Sequence, residues 1–137
     1  MTRSAQHPTQ YLTLVIMLAC TPSAVAQIVS SQDPLKVTAD QLGHYLREIR
    51  AIPDVICRSS SEAYELLCSS ESQNTIWVFT TPGHPAHPAV VRRTMTFDKG
   101  HVAIDRIGRY AGSKEAYEQW DLQFEELDQR ELRSLGD

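Results

Sequence analysis

Residues 75–80 read Thr-Ile-Trp-Val-Phe-Thr (TIWVFT), and this short run decides the fold. β-Branched and aromatic side chains favour strands, and they fill every position of the run. We therefore predict a β-strand over 75–80 and place the neighbouring elements relative to it.

Two shorter apolar runs precede this strand and predict a hairpin. Residues 55–57 and 64–68 flank a polar turn at 58–62. Such a hairpin sets Cys57 opposite Cys68, as a cross-strand disulfide requires. A redox or metal-binding thiol pair is the alternative, but these cysteines lack the C-x-x-C spacing of such sites. On the chain-entropy model, the disulfide would stabilise the fold by about 3 kcal/mol.

Two further strands are predicted after residue 80, at 89–97 and 101–107. The turn between them contains Gly100, which can take the positive φ of a bulged turn. That turn would place Phe97 opposite His101. The five strands then form an antiparallel meander, in which each strand pairs with the next one in the sequence.

A helix is predicted on each side of the strand region. Thr38 and Gln41 form a capping box before an apolar stripe, and Pro53 ends this first helix. Ser113 caps a C-terminal helix that has an apolar seam and strongly acidic remaining faces. The predicted fold class is therefore α+β, a single small domain over 38–137. Its antiparallel sheet of about five strands is flanked by the two helices, in the order α-β-β-β-β-β-α.

The first 26 residues are typical of a cleaved signal peptide for export. The apolar run at 11–19 is shorter than the roughly 20 residues that a membrane span needs. Ala-Val-Ala at 24–26 is the small-x-small pattern that a signal peptidase cuts after. Cleavage there would release a secreted or periplasmic protein, with a linker over 27–37 before the domain.

Residues 17–20 suggest a competing, lipidated form. Met-Leu-Ala-Cys resembles the lipobox of bacterial lipoproteins, so Cys20 would carry a membrane anchor. Met17 is a poor fit where leucine is usual, and we favour soluble export over the anchor. Either route removes Cys20 from the free thiols, which leaves Cys57 and Cys68 as a pair in an oxidising compartment. No other segment is expected to enter a membrane.

The composition is acidic, with 13 Lys and Arg against 17 Asp and Glu and a formal net charge of −4. Every acidic residue follows position 26, so removal of the signal peptide makes the charge slightly more negative. Nucleic-acid binding needs Lys and Arg gathered on one face to neutralise phosphates. We therefore expect no nucleic-acid partner.

The segment TPGHPAHPAV, residues 81–90, places His84 and His87 directly before prolines. Proline favours extended geometry in the residue before it, so we expect polyproline II, with both imidazoles on one ridge and Cα atoms about 9 Å apart. Two ligands do not make a tight zinc site, which takes three or four, and His101 lies at the other end of the sheet. A stiff connecting loop is favoured. Weak metal binding by the two histidines, and partner docking through them and Pro85, are the alternatives.

No catalytic constellation is recognised in the sequence. There is no G-x-S-x-G turn and no Gly-rich phosphate loop, and the two cysteines of the domain are expected to be paired. We therefore predict that the protein is not an enzyme and uses no cofactor.

Basic residues concentrate in the last hairpin, whereas the C-terminal helix carries the excess acid. The bulged turn would place Arg93 opposite Asp105 and Arg92 opposite Arg106, and like charges directly opposite each other are unfavourable. A carboxylate from the acidic helix would relieve this repulsion, and so would an anionic partner. We favour the helix, and keep Arg92, Arg93 and Arg106 as candidate partner-binding residues.

Together these features predict an exported, non-enzymatic protein-binding domain of the inhibitor, immunity or envelope accessory type. Its partner would be another protein of the envelope or the extracellular space. The alternative is a metal-binding or metal-handling periplasmic protein that uses His84 and His87.

Overall fold

The structure is a computed structural model, and it describes residues 33–136. The predicted α+β fold class is confirmed. The elements in chain order are α1 (Ala39–Arg50), β1 (Ile56–Ser60), β2 (Glu65–Ser70), β3 (Thr75–Thr80), β4 (Ala89–Asp98), β5 (His101–Tyr110) and α2 (Lys114–Leu135). The five strands form one antiparallel sheet in the order β1-β2-β3-β4-β5. The predicted signal peptide and Cys20 lie outside the described residues.

Each face of the sheet is covered by one helix, because the central strands are apolar on both sides. Trp77 and Phe79 of β3 pack with residues of α1 such as Leu42. Val78, one position along, points to the other face and packs in a cluster with Trp120 of α2. Successive side chains of a strand point to opposite faces, so β3 contributes to both clusters. We call the two sides the α1 face and the α2 face.

The start of α1 forms as the capping box predicts. The Thr38 hydroxyl accepts a hydrogen bond from the Gln41 amide at 3.1 Å, and the Gln41 side chain accepts one from the Thr38 amide at 2.8 Å. These two bonds satisfy amides that the first turn of a helix leaves without partners. Within residues 33–136, neither helix combines the length and the apolar character needed to cross a membrane.

The Cys57–Cys68 disulfide is present, and the register of β1 against β2 places the two cysteines directly opposite each other. β1 is one of the two edge strands of the sheet, and most of its side chains are exposed. The bond therefore ties the most exposed strand to the interior of the sheet.

The predicted register of the last hairpin is wrong by one residue. His101 pairs with Asp98, not with Phe97, because the turn contains only Lys99 and Gly100. Both residues have positive φ, +47° and +83°, as a two-residue type I′ turn requires. Such turns match the right-handed twist of the flanking strands, which favours them over a bulged turn.

The corrected register changes which charges face each other. Arg93 pairs with Arg106, and Arg92 pairs with Ile107. The like-charge pair therefore exists, but on the α2 face rather than on the α1 face.

The last part of the predicted linker, residues 33–37, packs against β5. The Val37 amide donates to the Tyr110 carbonyl at 2.9 Å, and the Tyr110 amide donates to the Leu35 carbonyl at 3.1 Å. The Tyr110 hydroxyl donates to the Asp33 carboxylate at 2.8 Å. The Leu35 amide and then this hydroxyl lower the pKa of Asp33. These contacts make residues 33–37 part of the packed domain.

Candidate functional site

The Pro-His loop consists of two consecutive turns and not of a polyproline II stretch. The His84 amide donates to the Thr81 carbonyl at 3.1 Å, and the His87 amide donates to the His84 carbonyl at 3.0 Å. Gly83 has a φ of +106° in the first turn, where it follows Pro82. Proline followed by a glycine of positive φ is the pattern of a type II turn, and this turn overrides the extended geometry that we predicted.

His84 is turned inward and joins the loop to α2. Its Nδ1 accepts a hydrogen bond from the Ala86 amide at 3.0 Å, and its ring meets Trp120 edge-on with centroids 5.2 Å apart. Its Nε2 lies 4.0 Å from the carboxylate of Glu65, which also accepts a hydrogen bond from the Trp120 indole at 2.8 Å. Burial lowers the pKa of His84, and the charge of Glu65 offsets part of this effect. Burial and the hydrogen bond that Nδ1 accepts therefore both favour the neutral ring.

His87 is held by the end of β3 instead. Its Nδ1 lies 3.1 Å from the carbonyl oxygen of Thr80 and 3.2 Å from the Thr80 hydroxyl. The two imidazoles thus make contacts with different partners. No group of three or more His, Cys, Asp or Glu able to hold a metal ion occurs within residues 33–136. Of the three loop residues proposed for docking, Pro85 is exposed, whereas His84 and His87 are partly buried.

The basic residues of β4 and β5 on the α2 face meet carboxylates of α2. Asp128 contacts both members of the like-charge pair, through the Arg93 Nε at 2.5 Å and an Arg106 terminal nitrogen at 2.9 Å. Glu131 takes a second nitrogen of Arg93 at 2.6 Å, and Asp121 lies 3.4 Å from Arg106. Burial lowers the pKa of Arg93, but hydrogen bonds to Glu131 and Asp128 outweigh it and raise the pKa overall. The intramolecular alternative that we favoured is the one found.

Arg92 lies on the opposite, α1 face of the sheet. One of its terminal nitrogens is 2.9 Å from the carboxylate of Asp105. The side chain is about one-third exposed, at 34%. Of the candidate arginines, Arg92 is thus the one not bound by α2.

An apolar groove on the α2 face was not predicted from the sequence. Its floor is formed by Ile76, Met95 and Ile104, and its walls by the Arg93–Glu131 ion pair and the turn between β2 and β3. The volume of this open groove is about 270 Å³. We call this feature the apolar groove.

Further large apolar side chains of the strands and of α2 are exposed to solvent. Phe97, two residues beyond Met95 on the same face of β4, is 63% exposed. Leu135 at the end of α2 is 52% exposed, and Ile56 on the edge strand is 60% exposed. The sequence signal for this surface is the alternation of apolar residues in β4 and β5, which continues past the point where α2 leaves the sheet.

Comparison of the chain with models of protein families, with curated proteins and with solved structures finds no match. Any function must therefore be argued from the geometry of these sites.

Proposed function

We propose that the protein is a non-enzymatic protein-binding module, and that its partner docks on the apolar groove. The observation that carries this proposal is the concave apolar floor of the groove, together with the exposed Phe97 beyond Met95 on the same face of β4. Contiguous exposed apolar surface is uncommon on monomeric proteins and typically marks an interaction site. The groove takes an aliphatic or aromatic side chain of the partner as the anchor of the contact.

The surroundings of the apolar groove favour a partner with basic residues beside that anchor. Two acidic residues, Glu71 on the turn and Glu131 on α2, line the groove against one arginine, Arg93. The formal net charge of the whole chain is −4. Complementary charge speeds association and selects against acidic partners.

A binding role is also supported by how the reactive side chains are used. Cys57 and Cys68 are joined in the disulfide, and both loop histidines are hydrogen-bonded within the fold. Arg93 and Arg106 are ion-paired with α2. The two cysteines are therefore not available as nucleophiles, and the two arginines are occupied by carboxylates of the same chain.

The proposed location of this module is the periplasm or the extracellular space. The pattern of residues 1–26 and the disulfide support export, since disulfides persist in oxidising compartments. Cleavage after Ala26 gives the soluble form that we favour. Replacing Cys20 with serine tests this: it should change neither acyl labelling nor fractionation. If the replacement moves the protein from the membrane fraction to the soluble one, the protein is a lipoprotein anchored through Cys20.

The docking proposal is tested by affinity capture from an extract of exported proteins, with the purified protein as bait. Met95→Glu places a charge on the floor of the apolar groove, and Thr96→Glu places the same charge on the next residue, which points to the other face. We expect partners that bind the unmodified protein and Thr96→Glu but not Met95→Glu. Cross-linking coupled to mass spectrometry should then locate the contact beside Met95.

The capture experiment can contradict the proposal in two ways. Equal recovery by a folded Met95→Glu variant would place the interface elsewhere, and recovery of no specific protein over a range of salt concentrations would argue against a protein-binding function. Thermal unfolding of each variant, followed by circular dichroism, establishes that the comparison is between folded proteins.

A further inference from the structure

A second pocket lies on the α1 face, between α1 and the strands β4 and β5. Its volume is about 310 Å³, at the small end of the range for ligand pockets. One half of its lining is apolar and includes Leu42, Val90 and Ile107. The other half contains Tyr45 and two arginines, Arg92 and Arg109. We call this feature the α1 pocket.

Arg92 has a hydrogen-bond donor that nothing satisfies. Its Nε is shielded from solvent and has no partner within residues 33–136. Asp105 occupies one of the terminal nitrogens only. The other terminal nitrogen has no hydrogen-bond partner among residues 33–136 and is not shielded from solvent, so it is the donor of Arg92 that an acceptor in the pocket can reach.

Arg109 adds a second positive charge at the rim. It lies on β5 directly opposite Val90, and Arg92 is two residues further along β4, so the two arginines are diagonal neighbours on one face. A terminal nitrogen of Arg109 donates to the Gly108 carbonyl at 2.7 Å. Among residues 33–136, no carboxylate lies within ion-pair distance of its guanidinium. The pair therefore holds two positive charges against the single carboxylate of Asp105.

Tyr45 supplies a third donor from the wall formed by α1. Its hydroxyl oxygen accepts a hydrogen bond from the Trp77 indole at 2.9 Å. An indole N–H can only donate, so the hydroxyl proton of Tyr45 stays available for another acceptor. The bond to the buried Trp77 also fixes the position of this hydroxyl.

We propose that the α1 pocket binds a small organic monocarboxylate that carries an aliphatic group. The carboxylate lies between Arg92, Arg109 and the Tyr45 hydroxyl, and the aliphatic group packs on Leu42 and Val90. Guanidinium and carboxylate form strong, planar, charge-assisted hydrogen bonds. The site is independent of the apolar groove, which lies on the other face of the sheet.

The apolar half of the α1 pocket favours an aliphatic carboxylate over inorganic phosphate. Inorganic phosphate would leave Leu42, Val90 and Ile107 without a partner, and Asp105 would repel its greater charge. Two sources offer the proposed chemistry: a free aliphatic acid, and the C-terminal carboxylate of a peptide that ends in an aliphatic residue.

The first test uses the unmodified protein and compares an acid with its neutral analogue. We titrate 4-methylpentanoate and 4-methylpentanamide while recording the arginine Nε–H resonances by NMR. The acid should shift the Arg92 signal, and the amide should bind at least about tenfold more weakly, a loss of one charge-assisted contact. Equal binding of the two, or no shift with either at millimolar concentration, overturns the proposal.

The second test uses variants of matched charge. Arg92→Gln should weaken binding of 4-methylpentanoate by about tenfold or more, whereas Arg47→Gln, an exposed arginine of α1 that does not line the pocket, should leave it unchanged. A folded Arg92→Gln variant that binds like the unmodified protein overturns the proposal. If this variant does not fold, the comparison of the acid and the amide on the unmodified protein still tests the proposal.

The sources are separated by two further probes. A short acetylated peptide that ends in leucine should bind more tightly than the free acid if the ligand is a chain terminus, and no more tightly if it is a small acid. Inorganic phosphate that binds as well as the acid would overturn the assignment of an aliphatic carboxylate.

Discussion

At the scale of single residues, Asp128 offsets the charge repulsion between two arginines that the hairpin register places opposite each other. Two arginines stand directly opposite each other on β4 and β5, an arrangement that is unfavourable without a counter-charge. Asp128 contacts both of them from α2 and is only 8% exposed. The acidic helix is therefore held to the sheet by electrostatic complementarity as well as by apolar packing.

We expect Asp128→Ala to lower the free energy of unfolding by about 3 kcal/mol, because it leaves Arg93 poorly solvated and partly unpaired. Glu118→Ala is the matched control on the same helix. Glu118 pairs with Lys114 at 3.8 Å on the surface, where such pairs contribute about 0–1 kcal/mol. Urea unfolding followed by circular dichroism measures both changes. Equal losses in the two variants would show that the Asp128 cluster adds no more than a surface ion pair.

Asp54 gives a prediction of pH dependence. The Ser72 amide donates to its carboxylate at 2.9 Å, and the Ser70 hydroxyl approaches both carboxylate oxygens at 2.9 and 2.8 Å. These bonds, the Ser72 amide first, lower the pKa of Asp54 below 3.8. The ionised group therefore contributes its full stability above pH 3.8 and loses it as the pH falls through the lower, folded-state pKa.

The expected result for Asp54→Asn is a variant that is less stable than the unmodified protein near neutral pH. This difference should narrow as the pH falls below 3.8, because the unmodified protein then begins to lose the stability that its ionised carboxylate contributes. Urea midpoints at about pH 6 and about pH 3 measure the effect, with Asp98→Asn at the exposed end of β4 as the control. A difference that stays constant over this range would exclude Asp54 as a source of acid sensitivity.

At the scale of elements, α2 approaches β5 closely because residue 108 has no side chain. A Cβ atom on Gly108 would overlap the Tyr117 hydroxyl and lie 2.6 Å from the Tyr117 Cζ. Tyr117 is itself buried, so it has little room to move. The small residue in the strand thus sets the distance between the helix and the sheet.

Replacement of glycine by alanine should change the free energy of unfolding in opposite directions at two positions. We expect Gly108→Ala to lower the free energy of unfolding by about 2 kcal/mol, because it forces α2 away from β5. Gly43→Ala should raise it by up to about 1 kcal/mol, since Gly43 lies inside α1 and its Cβ would meet nothing closer than 3.8 Å. The melting temperature of each variant, compared with that of the unmodified protein, shows whether the substitution stabilises or destabilises the fold. Stabilisation by Gly108→Ala would mean that the helix is not tightly docked there.

The sequence predicts the elements well where a local chemical signal defines them. The capping box at Thr38 and the cysteine spacing each depend on residues that are close in the chain. The predicted register of the last hairpin is wrong because two turn types fit the same residues around Gly100. The extended geometry predicted for the Pro-His loop is wrong for a related reason. Gly83 permits a turn that the prolines alone do not indicate.

At the scale of the whole molecule, neither pocket could be predicted from the sequence, because each arises from where a helix ends relative to the sheet. α2 leaves the sheet before β4 and β5 end, which exposes Met95 and Ile104. α1 packs on β2, β3 and Val90, which leaves Arg92 and Arg109 at its margin. Such placements depend on the packing of large side chains across the chain.

The sequential order of the strands also has a kinetic consequence. Every strand pairs only with its neighbour in the chain, so each hairpin closes a short loop and the contact order of the sheet is low. Low contact order favours fast folding, because little chain entropy is lost before contacts form. Each hairpin can therefore form as soon as its own two strands are available, without waiting for a distant part of the chain. We expect the main refolding phase of the disulfide-intact protein to take about milliseconds to a second in stopped-flow fluorescence, with Trp77 and Trp120 as probes; a main phase of minutes would contradict it.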